Sequence, residues 1–264
     1  MNLVLVAGID IGSLTGKIVV LSMEKKGLIQ KFSKIIRVGY DPKGIADKLI
    51  QSALSTLDVE LNEISYIVST GYGRKLVHLA NKIVTEITCH ASGAFFVNPT
   101  TRTIIDIGAQ DSKVIRINER GQVQDFEMND KCSAGTGRFL EVMANALEVE
   151  LTKFGSLALI STNPAPVSST CTVFAESEVI SRLNQGTNRI DIIAGIHKTI
   201  SQKIAILTAR IGVQKSVALT GGVALNPGVK AMLEAEINVP IEVPSEPQII
   251  GALGAALIAS KYAK

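Results

Sequence analysis

Two octets carry residues whose types and spacing point to phosphate chemistry: D-I-G-S-L-T-G-K, Asp10 to Lys17, and D-I-G-A-Q-D-S-K, Asp106 to Lys113. They lie 96 residues apart (10 to 106), and each follows an apolar run of β-type residues. A strand ending in Asp-x-Gly sets a carboxylate beside backbone amides that a tight glycine turn can aim inward. The amides and hydroxyls of Gly12, Ser13 and Thr15 suit phosphate oxygens. Asp10 and Asp106 suit Mg2+ held through water, because this ion keeps part of its hydration shell. Lys17 and Lys113 are placed to offset phosphate charge, and Gln110 is polar, uncharged and able to orient a water for hydrolysis. A P-loop does not account for Gly12 to Lys17. Three residues stand between the glycines where four are needed, and Ile18 follows the lysine. Either octet alone reads as a hairpin turn. The pair, together with T-G-G-V-A-L-N (Thr220 to Asn226) after another apolar run, predicts a nucleotide clamp made of two related halves.

The elements that position these turns follow from the hydrophobic pattern. Strands are expected at Leu3 to Ile9, Lys17 to Leu21, Phe32 to Val38 and Ile64 to Ser69, the last ending in T-G-Y-G-R, Thr70 to Arg74. Pro42 to Leu54 has helical spacing of Ile45, Leu49, Ile50 and Leu54, and a small-residue helix is expected over Cys89 to Phe96. The pattern then restarts, with strands at Thr103 to Ile107, Val114 to Ile117 and Val123 to Met128. Helices are predicted at Gly137 to Leu147, Phe174 to Asn184 and Asp191 to Ile211, a buried strand at Val217 to Thr220, and a closing helix at Ile249 to Tyr262. The doubled β-β-β-α opening implies two similar α/β lobes, with packed crossing helices as the hinge.

Bulk properties narrow the function classes. At 264 residues, 46% of them hydrophobic, the chain can bury a sizeable core. A net charge of +3, 4% aromatics and no Trp give nucleic-acid binding little support. The apolar stretch Ile249 to Ala259 is too short to span a bilayer, so no membrane association is expected. The opening M-N-L-V-L-V-A-G-I-D lacks a basic leader and a cleavage site; it reads as a first strand, and the expected location is cytoplasmic. Three cysteines form no disulfide framework.

Two of those cysteines have unusual surroundings: Cys132 in N-D-K-C-S-A-G-T-G-R-F and Cys171 in S-S-T-C-T-V-F-A-E-S-E-V-I-S. Each follows polar, turn-like residues and precedes a helical pattern. At a helix N-terminus the dipole and free amides favour a thiolate, or an anionic cluster bound through it. Free cysteines are also commonly small buried side chains, and no C-x-x-C is present. On the residues alone both readings stand. Cys89, in E-I-T-C-H-A-S-G-A, reads as packing, and His78, His90 and His197 lack metal-ligand spacing and read as structural. Glu176 and Glu178 read as solvated or intersubunit residues, and Asp191 and Lys198 as helix surface.

The octets and the Thr220 to Asn226 turn resemble the phosphate-1, phosphate-2 and adenosine motifs of the actin-like ATPase and sugar-kinase superfamily. The cysteine segments, with S-T-G-Y-G-R, D-I-I-A-G-I-H and G-A-L-G-A-A-L, are similar to the ATP-dependent activators of 2-hydroxyacyl-CoA dehydratases. The family of those activators also holds the ATPase subunits of benzoyl-CoA reductase. The resemblance runs essentially end to end. It implies an α/β fold of two duplicated actin-like lobes, ribonuclease H-like mixed sheets flanked by helices, with nucleotide in the cleft between them. The implied boundaries are 1–95 with a crossing helix at 249–264 for the first lobe, and 96–248 for the second.

By the same resemblance, ATP or ADP would meet Gly12, Ser13, Leu14, Thr15, Lys17, Gly108, Lys113, Gly135, Thr136, Gly221, Gly222 and Asn226. Asp10, Asp106 and Gln110 would serve hydrolysis, with Asp10 and Asp106 also holding Mg2+ through water. Cys132 and Cys171 would supply two of the four ligands of a [4Fe–4S] cluster shared by a homodimer. The implied activity is ATP-driven transfer of one electron at low potential to a partner dehydratase, from a ferredoxin or flavodoxin-type donor. Alternatives are the ATPase component of a benzoyl-CoA or double-cubane-cluster reductase, and a small-molecule kinase of the same fold.

Overall fold

The computed structural model describes residues 4–39, 44–130, 132–167 and 172–263. The chain divides into two compact units: Met1–Thr101 with Ile117–Val123 and Gln248–Lys264, and Arg102–Arg116 with Gln124–Pro247. Each contains one five-stranded mixed sheet.

In the first unit β1 (Val4–Ile11), β2 (Thr15–Glu24) and β3 (Gly27–Arg37) form an antiparallel meander, and β4 (Ile64–Thr70) and β5 (Lys82–Ile83) add in parallel. The order is β3-β2-β1-β4-β5. Nearly all of β1 is buried, as befits a central strand covered on both faces. β3 is mostly exposed, and its Lys31, Lys34 and Arg37 suit a sheet edge. A parallel partner for β1 requires a crossover, which includes α1 (Gly44–Leu57), whose Ile45, Leu49, Ile50 and Ala53 turn into the core.

Helix α2 (Glu86–Val97) packs against the last helix of the chain. The second unit repeats the sheet: β6 (Thr103–Ile107), β7 (Ser112–Ile117) and β8 (Val123–Asn129), then parallel β9 (Val217–Thr220) and β10 (Ile241–Glu242), in the order β10-β9-β6-β7-β8. Its crossover carries α3 (Gly137–Ala146), α4 (Leu151–Ala158), α5 (Thr172–Asn184) and α6 (Arg189–Ile211). Between β9 and β10 lies α7 (Pro227–Ile237). The core of this unit gathers Phe139, Met143, Phe154, Ile196, Ile200 and Leu219.

The closing helix α8 (Ile250–Ala259) is buried at every position and belongs to the first unit. Its small residues let it lie against backbone on both sides. A Cβ on Gly254 would stand 1.7 Å from the Cys89 carbonyl oxygen of α2, and one on Gly8 of β1 would stand 2.0 Å from the Ala252 carbonyl oxygen. Sequence reading leaves out α4, α7 and the two-residue strands β5 and β10. The signal for α7 is present in Asn226-Pro227: Asn226 Oδ1 accepts from Val229 N at 3.0 Å, and Pro227 takes the first helical position. No helix among the described residues is long and apolar enough to cross a membrane.

Candidate functional site

The two octets fold as β-hairpins of one design. In the first, Asp10 sits opposite Lys17 of β2 and beside Thr70 of β4; in the second, Asp106 sits opposite Lys113 of β7 and beside Thr220 of β9. Each turn is closed by one backbone bond, Gly12 N to Thr15 O at 3.0 Å and Gly108 N to Asp111 O at 2.9 Å. Both carboxylates are almost fully buried at strand ends. Lys17 Nζ lies 3.4 Å from Asp10 Oδ2, and Lys113 Nζ lies 3.5 Å from Asp106 Oδ2.

The likeness continues into the next strand, where sequence reading misses it. Thr70-Gly71 ends β4 as Thr220-Gly221 ends β9, and both glycines have positive φ, +88° and +84°. A Cβ would stand 2.3 Å from Asp10 Oδ1 at Gly71 and 2.9 Å from Asp106 Oδ1 at Gly221. Only glycine takes this backbone and leaves the carboxylate its place. The shared Thr-Gly after an apolar strand is the signal that could have found it. What hides it is spacing: Thr70 follows Asp10 by 60 residues, and Thr220 follows Asp106 by 114.

The halves differ in how tightly each carboxylate is held. Thr220 Oγ1 donates to Asp106 Oδ1 at 2.8 Å, and Lys113 also reaches Asp111 Oδ1 at 2.7 Å. The matching Thr70 Oγ1 is buried and makes no hydrogen bond of normal geometry among the described residues; the Cys89 thiol is its neighbour. Burial pushes that thiol up to about 12, so Cys89 is a neutral packing group.

Of the other predicted phosphate residues, Ser13 and Gln110 are exposed in their turns, and the Leu14 carbonyl accepts from Val38 N at 2.9 Å. Gly135 and Thr136 lead into α3; Thr136 bonds back to the Ser133 carbonyl, while Gly135 and the two residues after Thr136 are bonded to the second octet's hairpin. Ser112 Oγ donates to the Gly135 carbonyl. Gly137 N and Arg138 N donate to the carbonyls of Gly108 and Ala109, at 2.8 and 2.9 Å. Gly222 is exposed at the start of a short 3-10 turn after β9. Asn226, at the end of that turn, caps α7 and donates through Nδ2 to His197 Nε2 at 3.1 Å. His197 is fully buried, and its Nδ1 donates to the Ile193 carbonyl at 2.8 Å. Burial lowers its pKa to about 4, so the ring is neutral, with each nitrogen in the role its partner needs.

Cys132 is partly buried beyond the end of β8, at the cap of the short 3-10 turn Ser133–Gly135, and is in no disulfide. Asn129 fixes its backbone on both sides, accepting from Cys132 N at 3.2 Å and donating to Cys132 O at 2.7 Å. Lys203 of α6 brings Nζ to 3.8 Å from Cys132 Sγ, a neighbour that sequence reading misses because it lies 71 positions away. Cys171 lies outside the described residues. The residue after it, Thr172, is described, and its hydroxyl is 2.8 Å from that of Ser133, the residue after Cys132. Among the described residues no three His, Cys, Asp or Glu side chains gather as a ready-made metal site.

The profile of the BadF/BadG/BcrA/BcrD ATPase family matches residues 7–259. The chain belongs to this ATPase family. It is 46% identical to the 2-hydroxyisocaproyl-CoA dehydratase activator of Clostridioides difficile over 97% of this chain and 95% of that one. A benzoyl-CoA reductase component of Thauera aromatica is 35% identical, covering 95% and 91%. Among solved structures, component A of the Acidaminococcus fermentans (R)-2-hydroxyglutaryl-CoA dehydratase superposes with TM-score 0.92 at 45% identity, covering 98% of both chains. The Clostridium difficile activator with bound ADPNP gives 0.90 at 43% identity, covering 98% and 95%. The two mixed sheets flanked by helices are those of an actin-like ATPase.

Proposed function

We propose that this member of the family activates a partner 2-hydroxyacyl-CoA dehydratase by delivering single electrons at low potential, at the expense of ATP. Two copies share one [4Fe–4S] cluster through Cys132 and Cys171 of each, and a ferredoxin or flavodoxin-type protein is the donor. The observation that carries this reading is the attachment of the Cys132 segment to the Asp106 hairpin by the Ser112, Gly137 and Arg138 hydrogen bonds. A displacement of the Gly108–Ala109 turn is thereby passed to the backbone that follows Cys132.

The residues present fit both groups this reading needs. Asp10 and Asp106 offer fixed carboxylates to the waters of Mg2+, and Lys17 and Lys113 exchange an aspartate for phosphate when nucleotide arrives. Gln110, exposed in its turn, is free to orient a hydrolytic water. Cys132 has the thiol, the part exposure and the fixed backbone that a cluster ligand requires, and Thr172, the residue after Cys171 in the sequence, meets Ser133, the residue after Cys132. The cluster, when bound, supplies the one-electron carrier. ATP favours one arrangement of the Gly108 to Arg138 segment only by binding it better, and hydrolysis withdraws that preference. The 35% identity to a benzoyl-CoA reductase component supports a second reading, as part of an aryl-CoA reductase, at lower similarity than the activators.

The test is anaerobic purification, followed by assay of iron, acid-labile sulfide, visible absorption, ATP hydrolysis and ATP-dependent activation of a dehydratase. Cys132→Ala and Cys171→Ala lose the cluster and keep nucleotide binding. Iron-free protein after anaerobic reconstitution sinks the proposal, as does a full cluster in either variant.

A further inference from the structure

Helix α6 runs from its N-cap at Asn188 to Ile211, and one of its cations is directed at the cysteine segment. Lys203 is flanked by the core residues Ile200 and Ile204, so the helix face that bears it is anchored. Its Cβ would lie 3.9 Å from a Cβ on Gly135, which seats the stem against the turn that follows Cys132. From there Nζ reaches to 3.8 Å of Cys132 Sγ. Asn129 is committed to the Cys132 backbone, and among the described residues Lys203 is a cation whose ammonium reaches the sulfur.

We infer that Lys203 sets the reduction potential of the cluster held by Cys132, its fixed positive charge making the cluster easier to reduce. The inference rests on the iron–sulfur reading above. Reduction places one further negative charge on a cluster and its thiolates. An ammonium beside a ligand sulfur therefore stabilises the reduced state more than the oxidised one, by charge and by N–H···S hydrogen bonding. In a symmetric dimer each half contributes one such lysine. The consequence is functional: without the lysines the same donor reduces a smaller share of the protein, while nucleotide binding is untouched.

The measurement is an anaerobic redox titration of the purified holoprotein, followed by electron paramagnetic resonance, with no dehydratase present. Lys203→Met and Lys203→Arg are compared with wild type, with iron and sulfide assayed in each. At a fixed ambient potential Lys203→Met shows a reduced-to-oxidised ratio roughly tenfold lower, equivalent to about 59 mV for a one-electron couple, and Lys203→Arg restores most of it. An unchanged midpoint in Lys203→Met with a full cluster overturns the role of Lys203 and leaves the iron–sulfur reading standing. Wild-type protein that takes up no cluster overturns both. Should Lys203→Met not retain iron, Lys203→Gln, uncharged and still polar, gives the same comparison.

Discussion

Asp10 and Asp106 have the same neighbours in two different sheets: a lysine across the hairpin, a threonine on the parallel strand and a positive-φ glycine after it. Their surroundings diverge in the Lys113–Asp111 contact and in the bond from Thr220 to Asp106, which has no counterpart of normal geometry at Thr70. Thr220→Val therefore strips a buried carboxylate of a donor and lowers unfolding stability by about 1–3 kcal/mol in urea titrations, whereas Thr70→Val costs less than about 1 kcal/mol. Equal losses contradict this asymmetry. His197 gives a pH signature. Its pKa is about 4 when folded, against an ordinary 6.5. As pH falls through that window the unfolded chain binds a proton that the folded chain refuses, so stability declines, by on the order of 3 kcal/mol across the window. His197→Gln flattens this dependence; an unchanged slope means the loss arises elsewhere. The hairpin pairs were legible in the sequence because Asp and Lys seven positions apart fall opposite each other across a four-residue turn. The Thr70-Gly71 match was not, since its register depends on a parallel neighbour reached only after a crossover.

At the scale of elements, α8 is held between α2 and β1 by the absence of side chains. Gly254→Ala forces its methyl group into the Cys89 carbonyl, where backbone on both sides leaves no room to yield. The variant loses more than about 3 kcal/mol or does not accumulate as folded protein, a result read from urea midpoints and expression yield. The run I-G-A-L-G-A-A-L-I-A announced close packing but not its partner, because periodicity says nothing when every face is apolar. Helix α7 shows the reverse case. Its start was written in Asn-Pro, and Asn226→Ala removes the cap and the donor to His197 together, at about 1–3 kcal/mol. A neutral outcome in thermal melts tells against that shared role. Helix α4 carried a weaker signal: Glu150 precedes it with no side-chain cap, and Phe154, Gly155 and Ala158 give it only a short buried face.

For the whole molecule, the proposed sharing of one cluster by two copies would fix a stoichiometry. Reconstituted protein should bind about two iron atoms per chain and run as a dimer in anaerobic light scattering, whatever its nucleotide state. Four irons per chain in a monomer contradict the shared arrangement. The family was readable from the resemblance its motif segments carry, and the α/β class and the positions of the paired aspartates from the residues. The placement of Lys203 and the meeting of Ser133 with Thr172 were not, because both depend on how α5 and α6 return across the second sheet.

That return path bears on how the molecule was assembled. A parallel pair of strands obliges the chain to travel back along the sheet, and any length beyond the minimum changes no pairing register. In the first unit the journey from Asp10 to Thr70 takes 60 residues; in the second, from Asp106 to Thr220, it takes 114. Cys132, Cys171 and Lys203 all fall within the longer journey. The cysteine-bearing part thus occupies a connection that could lengthen while the pairings of β6 with β7 and β9 stayed in register, and a chain without it would still have those strands to pair.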